Sequence, residues 1–200
     1  MSSIAGRDKS ALLVIDVQNG VVPDAYKRDE IVANINTAVV KARAAGVPVI
    51  WIQHSDEWMA IGSTEWEIVP ELVPIAGEAK VEKLYRNSFE ATNLEEELSK
   101  LNVGHLYITG SQTNNCVRFT SHGALDRGYD VTLIEDAHTT SDYQWDSGHV
   151  KASVLIDDLN ASVNGMELLL APKFLHGMKL CLAARQPKNQ LPKTKFSSVV

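Results

Sequence analysis

Cysteine is scarce in this 200-residue chain: Cys116 and Cys181 are the only two, which excludes a disulfide framework. No apolar run approaches the roughly 20 residues that a membrane-spanning helix needs. The first residues, Met1-Ser2-Ser3-Ile4-Ala5-Gly6-Arg7, lack the apolar core of a signal peptide. Together these absences set the expectation of a reducing, cytoplasmic compartment in which a free thiol persists. Positive charge is also in deficit. A formal net charge of −6 excludes a broad nucleic-acid surface, and neither a nucleic acid nor a membrane is expected as partner. Acidic residues in turn disappear after Pro172, where Lys173, Lys179, Arg185, Lys188, Lys193 and Lys195 stand without any Asp or Glu. The expected organisation is therefore one domain over 1–172 and a basic, mobile tail over 173–200. Tandem repeats and low-complexity segments are absent.

What the chain does have is a 44% hydrophobic content, enough for a full core, arranged as alternating strands and helices. Ala11-Leu12-Leu13-Val14-Ile15 is a continuous apolar run ending at Asp16, the pattern of a buried parallel strand. Helical spacing of Ile31, Ile35, Ala38, Val39 and Ala42 follows, closed by Gly46. Further strands are predicted over 47–52, 80–84, 105–109 and 130–134. Further helices are predicted over 94–101, with Thr92 or Asn93 as cap, and from Cys116 to about Arg127. A helix within 145–165 and a last strand over Met166–Leu170 complete the reading. Residues 54–79 form a long irregular stretch with Trp58 and Trp66, a length usual for a binding loop. The alternation predicts an α/β fold: a doubly wound, mostly parallel central β-sheet with helices on both faces.

In such sheets ligands bind beyond the C-terminal strand ends. Asp16 ends the first strand, Lys83 lies near the end of the third, and Cys116 follows the fourth. The Gly110-Ser111-Gln112-Thr113-Asn114-Asn115-Cys116-Val117 segment sets the thiol between a strand and a helix, where the helix dipole favours the thiolate. Each residue taken alone also has a plain structural role: Asp16 as a turn former, Lys83 as a solvated charge, Cys116 as a buried thiol. Taken together they suit nucleophilic acyl transfer. Cys116 attacks, Asp16 carries the proton, Lys83 holds charge and backbone N–H groups of the 110–116 loop meet the oxyanion.

Three blocks carry a family resemblance: Leu12 to Asn19, Val81-Glu82-Lys83, and Gly110 to Val117, the last continuing through Thr120, Ala124, Gly128-Tyr129-Asp130-Val131 and Asp136-Ala137. Over about residues 9–145 the chain resembles the isochorismatase-like cysteine hydrolases, the superfamily that includes nicotinamidase and N-carbamoylsarcosine amidase. The resemblance implies an Asp16-Lys83-Cys116 triad and a cis peptide before Gln112. It also implies oxyanion donors at the Gln112 and Cys116 N–H groups, and a homo-oligomer. Nicotinamidases carry an Asp-x-His pair and a later histidine for a metal. Here the stretch reads Gln53-His54-Ser55-Asp56-Glu57-Trp58 with no second histidine before His105, so no metal and no cofactor are expected. Gln18, His54, Trp58, Trp66, Tyr85 and Phe119 are the candidate substrate-pocket residues. The implied activity is hydrolysis of a C–N bond in a small amide, ureide or lactam through a thioester. Hydrolysis of an isochorismate-type vinyl ether, and a non-catalytic binding role, are the alternatives.

Overall fold

A computed structural model of the protein describes residues 2–164. Five strands form one parallel sheet: β1 (Lys9–Ile15), β2 (Val49–His54), β3 (Ala79–Lys83), β4 (Val103–Ser111) and β5 (Asp130–Thr139). Their spatial order is β3-β2-β1-β4-β5. The chain thus winds outward from β1 through β2 to β3, then returns to β4 on the other side of β1. This reversal opens a crevice at the C-terminal ends of β1 and β4, the usual ligand position in a doubly wound sheet.

The apolar runs of β1 and β4 are buried on both faces, as central parallel strands must be. Ala11, Leu13 and Ile15 join Leu94 and Leu98 of α2 (Leu94–Lys100), Ala124 of α3 (Arg118–Asp126) and Leu159 of α4 (Ala152–Asn164) in one cluster. Leu12 and Val14 alternate to the opposite face. On that face α1 (Arg28–Ala44) packs against the sheet and buries Ile31, Ile35 and Val39. The N-terminus of α2 is capped by Thr92, whose Oγ1 accepts the Leu94 N–H at 3.2 Å, while the Asn93 side chain makes no cap bond.

Three features differ from the sequence expectation. Strand β5 runs to Thr139 rather than stopping at 134. Its pairing with β4 shifts register after Ile108–Leu133 and resumes at Gly110–His138 and Ser111–Thr139, so that Glu135 and Asp136 bulge outward. Two exposed carboxylates that read as a strand end are the crest of a bulge. Second, a small antiparallel hairpin, β6 (Tyr143–Trp145) and β7 (Gly148–Val150), precedes α4. Third, β4 runs through Gly110 to Ser111 rather than stopping at 109. The φ of Gly110 is 120°, and a Cβ there would collide with the Ile15 backbone, so the close β1–β4 approach beside the crevice requires glycine. The strand expected over 166–170 and the tail over 173–200 lie outside the described residues. Among the described residues, no helix is long and apolar enough to cross a membrane.

Candidate active site

Asp16 leaves β1 in a left-handed conformation, with φ 49°, while its N–H bonds the Ile52 carbonyl of β2 at 2.9 Å. Aspartate tolerates this region better than most residues. The turn sends its carboxyl group inward, and Asp16 is 1% exposed. Lys83 ends β3 two strands away, paired in register with His54 of β2. It is among the largest fully buried side chains described. Its ammonium lies 2.6 Å from Asp16 Oδ2 and donates to Cys116 Sγ at 3.3 Å. One buried cation at the end of β3 thus joins a carboxyl group just past β1 to a thiol on the turn that follows β4. Among the described residues, the Asp16 oxygens meet no aligned hydrogen-bond donor beyond Lys83 and the Cys116 thiol.

Cys116 is half-buried at the foot of the crevice. The Ser111–Gln112 peptide is cis. Residues Thr113–Val117 form a wide π-helical turn, interrupted at Asn115 (φ −120°, ψ −107°), before α3 begins. Several side chains secure this loop. Ser111 Oγ donates to the Thr139 carbonyl, Thr140 Oγ1 to Asn114 Oδ1 at 2.6 Å, and Asn115 Nδ2 to Gln112 Oε1 at 2.9 Å.

The electrostatics reverse one expectation. The helix start was expected to favour the thiolate, yet burial, followed by the nearby Asp16 charge, pushes the Cys116 thiol up to about 12. Lys83 opposes this rise. A helix dipole contributes about 0.3–1 kcal/mol at most sites, too little against desolvation plus a carboxylate. Burial likewise raises the Asp16 carboxyl group above its ordinary range, with Lys83 pulling the other way. The resting site therefore holds a protonated thiol beside a carboxyl group of enhanced proton affinity.

The six candidate pocket residues are placed unevenly. Gln18 is fully buried and commits its amide to backbone: Nε2 donates to the His54 and Trp66 carbonyls, and Oε1 accepts the His54 N–H. It ties the ends of β1 and β2 to the 54–79 loop. His54 lies close enough to Asp16 to influence it electrostatically. Its Nε2 is 3.4 Å from Asp56 Oδ2, and its buried Nδ1 has no partner among the described residues. Trp66 is half-buried, and its buried Nε1 likewise has no partner among the described residues. Tyr85 and Phe119 are about half exposed, Phe119 beneath the Arg86 guanidinium at 5.7 Å. Trp58, at 86% exposure, projects into solvent. Among the described residues no three His, Cys, Asp or Glu side chains cluster as metal ligands would.

Sequence reasoning missed the pairing of Thr113 and Asn114 of the loop with His138 of β5 and Thr140 just beyond it, and the contact of His138 with Asn160 of α4. Their only advance signal was position: His138 follows the Asp136-Ala137 pair, but the hidden bulge masked its inward direction.

Comparisons with known proteins agree with this geometry. Residues 10–159 match the family model described as the isochorismatase domain. The secreted isochorismatase effector Isc1 of Verticillium dahliae is 34% identical over 142 residues, spanning 68% of this chain and 75% of that protein. The ureidoacrylate amidohydrolase RutB of Enterobacter sp. (strain 638) is 29% identical over 170 residues, spanning 64% of this chain and 74% of that one. The solved structure of N-carbamoylsarcosine amidase from Thermoplasma acidophilum superposes with a TM-score of 0.64 at 25% identity, covering 79% of this chain and 94% of that one.

Proposed function

The chain belongs to the isochorismatase family of hydrolases, and on that premise we propose that it is a cysteine-dependent amidohydrolase of a small amide, ureide or lactam. The observation that carries the reading is the position of Lys83 Nζ, buried between Asp16 Oδ2 at 2.6 Å and Cys116 Sγ at 3.3 Å. Amidohydrolase relatives support the C–N bond as target.

In this reading Cys116 Sγ attacks the substrate carbonyl carbon while the thiol proton passes to Asp16. A thiol held near 12 is inert until a substrate arrives, so deprotonation is coupled to attack. The carbonyl oxygen becomes an oxyanion, received by the N–H groups of Gln112 and Cys116. Each such donor stabilises the transition state by roughly 3 kcal/mol. Collapse breaks the C–N bond, and the leaving nitrogen takes the proton from Asp16. Water then attacks the thioester, Asp16 accepts its proton, Cys116 departs with Lys83 compensating the developing sulfur charge, and Asp16 hands that proton to Sγ to restore the resting thiol. The chain's own groups complete this cycle without a cofactor.

A panel of small amides and ureides, scored by ammonia release, tests the reading. At least one should be hydrolysed, Cys116→Ala should abolish its turnover, and mass spectrometry of the quenched reaction should find an acyl group on Cys116. Undiminished turnover in Cys116→Ala would sink the proposal. Surviving isochorismate hydrolysis in that variant would point to vinyl-ether chemistry instead.

A further inference from the structure

We propose that His138, acting through Thr113, is the positioning residue that sets the nucleophile loop in its working geometry. This rests on the reading of Cys116 as nucleophile. His138 is fully buried at the end of β5, on the far side of the register shift. Its Nδ1 is 2.8 Å from Thr113 Oγ1 and its Nε2 is 2.9 Å from Asn160 Oδ1. Thr113 is itself buried, one residue beyond Gln112 and three before Cys116.

The direction of this chain of hydrogen bonds follows from its outer end. Asn160 Nδ2 donates to the Glu135 carbonyl at 3.2 Å, which turns Asn160 Oδ1 toward the imidazole. An amide oxygen only accepts, so His138 Nε2 carries the proton. Nδ1 is then a bare acceptor, and the Thr113 hydroxyl must donate to it. Burial holds His138 in the neutral form that this arrangement needs. The β5 bulge, α4 and the nucleophile loop are thereby joined in one direction, from Thr113 to Glu135. No proton is transferred along it, and His138 takes no part in the bond-breaking steps. Its effect is to hold Thr113, and so the turn that carries the Gln112 and Cys116 N–H groups, against β5. A loop this close to the reacting atoms matters because small displacements there are costly in rate.

The test uses p-nitrophenyl acetate as acyl donor. Cys116 Sγ forms the C–S bond, the C–O bond to p-nitrophenolate breaks, and the thiol proton goes to Asp16, so the coloured burst reports acylation. It is read where circular dichroism shows each variant folded. Thr113→Val keeps the shape and removes the donated hydrogen, and it should slow the burst about 10- to 100-fold. Thr113→Ser, which retains the hydroxyl, and His138→Asn, whose Oδ1 acceptor takes the place of Nδ1, should each recover most of the rate. His138→Leu should resemble Thr113→Val. A Thr113→Val burst at the wild-type rate overturns the proposal, since packing would then suffice. Should Cys116→Ala show the same burst as wild type, the nucleophile reading fails separately. Hydrogen exchange over residues 112–117 then decides: faster exchange in Thr113→Val but not in Thr113→Ser upholds the positioning role, and unchanged exchange overturns it.

Discussion

At the residue scale, the thiol, the carboxyl group and the ammonium cannot be read independently. Burial raises the Cys116 thiol most strongly, Asp16 raises it further, and Lys83 opposes both with a smaller effect. The consequence is testable in the absence of substrate. Alkylation of Cys116 by iodoacetamide should rise steadily with pH through 9 and beyond, following a thiol near 12 rather than levelling off around neutrality. A plateau by pH 8 would show a preformed thiolate and would rule out coupled deprotonation. Asp16→Asn separates ionisation from catalysis. With the negative charge gone, alkylation at pH 9 should accelerate, while amide turnover falls by about 10²–10⁴ through loss of the proton carrier. Turnover that rises together with alkylation would deny Asp16 its role. Removing one partner of the buried pair should also cost about 3–5 kcal/mol of stability, visible as a lowered Tm.

At the element scale, β1 and β4 determine where the chemistry sits. Gly110 sits opposite Ile15, where a Cβ would collide with the Ile15 backbone, and its φ of 120° suits no other residue well. Gly110→Ala combines a disfavoured backbone with a collision against Ile15. The expected loss is about 3 kcal/mol, or roughly 6–12 °C in Tm for a chain of this size. A melting curve superimposable on wild type would show that the strands separate freely there. The strands themselves were legible because an uninterrupted apolar run ending in a polar residue has few other uses in a doubly wound fold. Strand β5 was truncated in that reading for an equally physical reason. Glu135 and Asp136 look like a terminus, and nothing local announces that the chain re-enters the sheet at His138.

At the scale of the whole molecule, several large apolar side chains remain on the surface, among them Val40, Ile61, Val73, Ile75 and Leu84. Association of copies would remove such area from water. The expected homo-oligomer should appear in sedimentation equilibrium as a mass at least twice the 22.0 kDa of one chain. A single 22.0 kDa species at micromolar concentration would show that the chain works as a monomer.

The sequence by itself determined the strand–helix alternation, the doubly wound class and the strand-end positions of Asp16, Lys83 and Cys116. These depend on periodicity and turn chemistry, which are properties of neighbours in the chain. Only the tertiary structure decided that Lys83 reaches across β2 to a carboxyl group and a thiol 33 residues away, that the thiol stays protonated, and that His138 turns inward to Thr113. Burial, Coulomb interaction and hydrogen-bond direction are sums over groups brought together by folding, so they are not encoded in any single stretch of sequence.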